Sequence, residues 1–141
     1  MLEVVWKVVE AVIDTQIKSV FQYHGILHGF CTRRGTRTTI IELKLAQELE
    51  SVDQDPPFLL FLDLRKACDN IYRGRLLKNL EGYGAGPKLR GLLAEFWSRQ
   101  ELVTRHNGFH GPQLQANRGT TQGGLASTTR FNVAVYSVVR H

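Results

Sequence analysis

An α+β fold, rich in helix and carrying one small antiparallel sheet, is what this 141-residue sequence predicts. Three observations point there. Five stretches place apolar residues at three- and four-residue steps, the signature of helices that bury one face. One short run, Phe58-Leu59-Leu60-Phe61-Leu62, is wholly apolar, as in a strand covered on both faces. Two further strand-like stretches flank a turn that contains Gly and Pro. The resulting order is helix, helix, strand, helix, helix, hairpin, helix. It does not alternate, which sets it apart from a doubly wound α/β sheet.

The first helix is expected over residues 1–21, where Leu2, Val5, Val9, Val12, Ile13, Ile17 and Val20 form a stripe that Val4, Trp6 and Val8 widen into a deeply buried face. Residues 22–39 read as a loop with Gly25, Gly29 and Gly35 and the arginines Arg33, Arg34 and Arg37. A second helix follows over 38–51, striped by Ile41, Leu45 and Leu49, until Pro56 and Pro57 stop it. The buried strand over 58–62 ends at Asp63. A helix begins near Gly74 and runs through Leu76, Leu77 and Leu80 until Gly82, Gly84 and Gly86 break it. Pro87 suits a first turn, and Leu89, Leu92, Leu93, Phe96 and Trp97 line the buried side of the helix it opens. Strands over 101–104 and 114–117 are joined by a turn over 108–112. The glycine-rich run at 119–124 then leads into a last helix from about Leu125. No internal repeat or low-complexity stretch is visible.

Charge is unevenly placed. Residues 1–57 hold 6 basic and 8 acidic side chains, whereas 58–141 hold 12 basic and 5 acidic ones. Nine of those twelve are arginines, whose planar fork suits phosphate. A polyanionic partner, nucleic acid or nucleotide, is one reading of that asymmetry, and a solvated basic surface is the other. An apolar fraction of 43% excludes a disordered chain. Two cysteines, Cys31 and Cys68, exclude a disulfide scaffold, so an intracellular, reducing compartment is expected. Glu3, Lys7, Glu10 and Asp14 interrupt the opening segment, which excludes a signal peptide or a membrane span there. His24 with His28, and His106 with His110, have the i, i+4 spacing of a helical zinc site. Both pairs fall in loop-like sequence, so zinc is set aside, and no His-plus-acid context makes either cysteine a nucleophile.

Two constellations carry chemistry. In Asp63-Leu64-Arg65-Lys66-Ala67-Cys68-Asp69 a carboxylate sits at the end of a buried strand, which is costly unless it is paired or binds a metal. Two carboxylates bracketing Arg65 and Lys66 suit a divalent cation with a phosphorylated ligand. Alternatively, Asp63 caps a helix and Asp69 pairs with Arg73. In Gly119-Thr120-Thr121-Gln122-Gly123-Gly124 the glycines allow close backbone approach, and the following helix start offers N–H groups to an anion.

Taken together, these stretches resemble the reverse transcriptases of group II introns and non-LTR retrotransposons. Asp63 to Asp69 is similar to that family's motif A, hydrophobic-Asp-x-x-Lys-Ala-aromatic-Asp, and 119–132 to its motif B, Gly-x-x-Gln-Gly-x-x-x-Ser-Pro-x-Leu-Phe-Asn. His28-Gly29-Phe30 with Arg33-Arg34-Gly35-Thr36 resembles its fingers segment. The resemblance implies part of a right-hand polymerase, with fingers-derived helices over 1–57 and the front of the palm over 58–141. It implies RNA-templated DNA synthesis on an RNA template and a DNA primer from dNTPs, in a nucleus or a cytoplasm, with Mg2+ or Mn2+ as cofactor and no membrane. Asp63 is then a catalytic metal ligand, with the Leu64 carbonyl beside it. Cys68, Gln122, Gly123, Arg33, Arg34 and Arg37 contact nucleotide or template, and Asp69, Phe131 and Asn132 support the motifs. For the arginines a solvated surface role stays open.

The sequence also departs from the pattern. Cys68 stands where the family keeps an aromatic that discriminates against ribonucleotides, Thr128 replaces the motif B proline, and Arg130 replaces its leucine. Arg130 falls in the apolar register of the last helix, where it is either buried at considerable cost or snorkels outward. The family's aromatic-x-Asp-Asp turn has no counterpart in these residues. The chain alone is therefore expected not to extend primers, and a non-catalytic nucleic-acid-binding remnant of a retroelement is the alternative.

Overall fold

A computed structural model of the protein describes residues 2–22, 25–50, 58–121 and 123–139. Five helices and one hairpin follow in order: α1 (Leu2–Val20), α2 (Thr36–Glu50), α3 (Arg73–Gly82), α4 (Pro87–Ser98), β1 (Glu101–His106), β2 (Phe109–Gln115) and α5 (Ser127–Val139). The class is α+β, with an antiparallel pair as the sheet among the described residues. The chain divides into two compact units: Met1–Gln22 with Lys66–His141, and Tyr23–Arg65. These boundaries group α1 with the C-terminal segment.

In the first unit four helices share one core. Ile13 and Ile17 of α1, with Phe21 just beyond it, meet Leu76 and Leu80 of α3, Leu89, Leu93, Phe96 and Trp97 of α4, and Val133 and Tyr136 of α5, all buried. Aromatic edges lock this packing: Phe21 meets the rings of Tyr83 at 4.9 Å and Tyr136 at 5.5 Å, and Trp6 meets Phe96 at 5.2 Å. Helix α3 ends in a Schellman motif. Gly84 takes φ +86°, the Ala85 N–H returns to the Leu80 carbonyl, and the Gly84 N–H returns to that of Glu81. Pro87 then opens α4 at its first turn, as expected.

The buried stripe of α1 differs from the expected one. Glu10, Ile13, Ile17 and Phe21, spaced three, four and four apart, face the core, while Val4, Val5, Val8 and Val12 are exposed. A helix apolar on most of its circumference has two candidate stripes, and tertiary partners choose between them. The hairpin also shifts. Its turn is Asn107-Gly108, with φ of +47° and +81°, which extends both strands beyond the expected limits. A register slip between Val103 and Arg105 marks a bulge. There Gly111 faces Thr104 so closely that a Cβ would stand 2.2 Å from the Thr104 hydroxyl.

The second unit holds α2. Its start resembles a capping box: the Thr38 hydroxyl accepts from the Gly35 N–H at 2.9 Å. His28 bridges that hydroxyl, at 3.0 Å, and Glu42 one turn on, at 2.9 Å. Ile41, Leu45 and Leu49, expected as a packing stripe, are exposed, as is Ile40.

Candidate functional site

The segment between β2 and α5 is laced to the one before α3. The Gly119 N–H donates to the Ile71 carbonyl at 2.8 Å and the Thr120 N–H to that of Cys68 at 3.1 Å. Tyr72 and Arg118 form an antiparallel bridge, with the Arg118 guanidinium 4.5 Å from the Tyr72 ring centre. Gly119 sits at φ +83°, and a Cβ there would lie 3.1 Å from the Asp69 carbonyl oxygen. Only glycine meets both conditions without strain. The stretches that resemble motifs A and B thus meet through backbone.

From this contact the glycine-rich loop is held on two sides. On the α3–α4 side, Arg73 donates to the Gly119 carbonyl at 3.2 Å and to Gln100 Oε1 at 3.0 Å, and its guanidinium lies over the Trp97 ring. Gln100 Nε2 in turn donates to the Thr121 hydroxyl at 2.7 Å. Arg73 therefore serves the loop. On the α1 side, one Glu10 oxygen accepts from the Leu125 N–H at 3.1 Å, and the other accepts from Arg130 Nη2 at 2.6 Å. The Ser127 hydroxyl closes the turn onto the Thr121 carbonyl, and the Thr129 hydroxyl donates to Asp14 of α1.

Arg130 does not snorkel. Its side chain is 0% exposed, with Nε on the Ala126 carbonyl at 3.0 Å and the guanidinium 5.8 Å from the Phe96 ring centre. Burial pushes its pKa down, while the hydrogen bond and charge of Glu10 pull it back up. Arg73 is lowered too, first by burial and then by the nearby Arg130 charge. Arg130 Nη1 and Trp97 Nε1 are buried without a hydrogen-bond partner.

These elements border an open cavity of about 880 Å³. Lys7, Arg73, Arg99 and Arg118 supply cationic lining, Trp6 and Phe96 supply aromatic lining, and loop residues 119–121, 123 and 124 complete the wall. Asp69, Glu101 and Glu10 also line it, but the charge of Glu10 is compensated by Arg130. Cationic and aromatic lining side by side suit a ligand that joins phosphate to a flat ring.

The other expected site residues are scattered. Asp63 and Leu64 lie exposed on an extended stretch of the Tyr23–Arg65 unit. The expected buried strand over 58–62 does not form: Phe58 is 99% and Leu62 81% exposed. Its backbone has no ladder partner in the sheet, which is built from β1 and β2, so Asp63 neither ends a strand nor caps a helix. Arg33, Arg34 and Arg37 are exposed in the same unit, where Arg34 hydrogen-bonds the Gly25 carbonyl and Arg33 takes φ +62°. Cys68 and Asp69 are exposed and contribute backbone to the laced contact. Gly123 is exposed at φ +75°, and Gln122 lies outside the described residues. Phe131 is half-buried and Asn132 buried within α5.

Among the described residues no three His, Cys, Asp or Glu side chains converge as metal ligands. His106 and His110 stand on opposite strands of the hairpin, not on one helix face. No helix among the described residues is long and apolar enough to cross a membrane. No family model, curated protein or solved structure matches the chain.

Glu10, Gln100 and Thr121 are the site residues that sequence reasoning missed. The signal existed for one of them. Glu10 keeps the register of Ile13 and Ile17 on α1, and Arg130 occupies the apolar register of α5. Two opposite charges, each misplaced on a buried face, are each other's natural partner.

Proposed function

We propose that this chain is the fingers and front-palm portion of a reverse transcriptase of the group II intron and non-LTR type, and that its own activity is binding of nucleic acid. The observation that carries this reading is the lacing of 68–72 to 118–120 at the mouth of a cationic, aromatic cavity. Two stretches that resemble consecutive polymerase motifs are distant in sequence and adjacent in space. The basic balance of residues 58–141 supports it as well. The proposal for this chain is limited to binding, because its residues hold no counterpart of the family's aromatic-x-Asp-Asp motif.

The test is binding of an RNA–DNA hybrid by the purified chain across a salt series. Phosphate-dominated binding makes log affinity fall linearly with log salt, and hybrid is expected to outcompete a heparin fragment of matched charge. Affinity indifferent to salt, or equal for heparin and hybrid, sinks the reading. No primer extension is expected with Mg2+ or Mn2+. Magnesium-dependent synthesis that Asp63→Asn abolishes would restore catalysis to the chain.

A further inference from the structure

The start of α5 looks at first like an anion site, with glycines ahead of it and N–H groups at its first turn. A carboxylate of the protein itself lies at the turn just ahead of that helix. The Glu10 carboxylate, 7% exposed, reaches across from α1 and accepts from the Leu125 N–H at 3.1 Å. Its other oxygen takes Arg130 Nη2 at 2.6 Å. Gly124 lies against it: a Cβ there would stand 2.6 Å and 2.8 Å from the two oxygens. A side chain at 124 would therefore crowd this carboxylate, and the Ser127 hydroxyl at 2.8 Å as well. Arg130 is held by Glu10 and the Ala126 carbonyl and keeps Nη1 without a partner. It is a fully buried cation whose nearest counter-charge is this one group.

We infer that Glu10 is the positioning residue of the 123–127 turn, an internal anion that ties α1 to the turn just ahead of α5 and sets that turn's approach to the cavity. The functional consequence rests on the nucleic-acid reading above, because it assumes the loop touches the ligand. The positioning itself does not. Breaking the link by removing Glu10 alone strands Arg130, whereas replacing both partners by apolar groups of similar size leaves the core filled.

Two variants of the full chain test this, read by amide hydrogen exchange. In Glu10→Leu/Arg130→Met the helices keep their packing and a cooperative transition. The Leu125 amide loses its acceptor, so its exchange is expected to accelerate about tenfold, the scale of a lost helix cap, while amides of the central turns of α5 keep their rates. Unchanged exchange at Leu125, or equal acceleration along all of α5, overturns the inference. In Glu10→Ala, formate or acetate fits the vacated space beside Arg130. Either is expected to restore protection at Leu125, or folding itself if the variant is unfolded, where chloride at equal ionic strength does not. No rescue by either carboxylate also overturns it. Hybrid binding is measured on the same double variant. If Leu125 exchange rises while affinity holds, Glu10 remains the positioning residue and the loop is removed from the nucleic-acid reading.

Discussion

Adjacent glycines at 123 and 124 do different jobs, and substitution separates them. Gly123 sits at φ +75° with open space where a Cβ would go. Its requirement is conformational, and Asn, which tolerates that region, is expected to replace it at a cost of about 1 kcal/mol or less. Gly124 is constrained by the pinned Glu10 carboxylate. Gly124→Ala forces that group off the Leu125 N–H and Arg130, and is expected to lower stability by about 1–3 kcal/mol, the range of overpacked sites. Denaturant midpoints of the two variants check the contrast, and equal losses would refute it. Arg130→Met is expected to be worse, at about 3–5 kcal/mol, because it leaves the Glu10 charge buried and uncompensated. That midpoint should recover substantially in Glu10→Leu/Arg130→Met.

At the scale of elements, what was legible in the sequence is what depends on one segment alone. All five helices appear within a few residues of where periodicity places them, since an apolar stripe, a Pro at a first turn and a Gly beyond a last turn are local signals. Which stripe is buried is not local. On α1 the valines at 4, 5, 8 and 12 read as core and are exposed, because Glu10 and its partner on α5 turn the helix. The apolar run at 58–62 reads as a buried strand, yet a strand exists only with a neighbour to complete its hydrogen bonds. The hairpin turn was misplaced although Asn107-Gly108 is the strongest two-residue turn signal. Gly108→Ala, at φ +81°, is accordingly expected to cost about 1–2 kcal/mol. Helix α2 offers the opposite prediction. Ile41 and Leu45 are more than half exposed, so Leu45→Lys is expected to shift stability by no more than about 0.5 kcal/mol. A larger thermal or denaturant shift would mean that the stripe packs after all.

For the molecule as a whole, the unit that carries the cavity is built from two distant pieces of chain. Helix α1 and the residue after it bring Ile13, Ile17 and Phe21, each essentially fully buried, and the counter-charge of Arg130. At about 1.5–3 kcal/mol for each apolar side chain, those three alone contribute roughly 5–9 kcal/mol. That equals much of the roughly 5–15 kcal/mol by which a typical domain is stable. Without α1, Tyr136 and Leu93 face water and Arg130 sits in an apolar bed with no carboxylate. A fragment of residues 66–141 is therefore expected to show no cooperative thermal transition by circular dichroism. A peptide of residues 1–22 added in trans should restore one, with a midpoint that rises with peptide concentration, as binding to the folded state alone requires. The same peptide carrying Glu10→Leu should restore it poorly against native Arg130 and well against a fragment carrying Arg130→Met. A 66–141 fragment that melts cooperatively near the midpoint of the full chain would show α1 to be an accessory. In that case the Glu10 link would be a surface latch on an independently folded C-terminal segment.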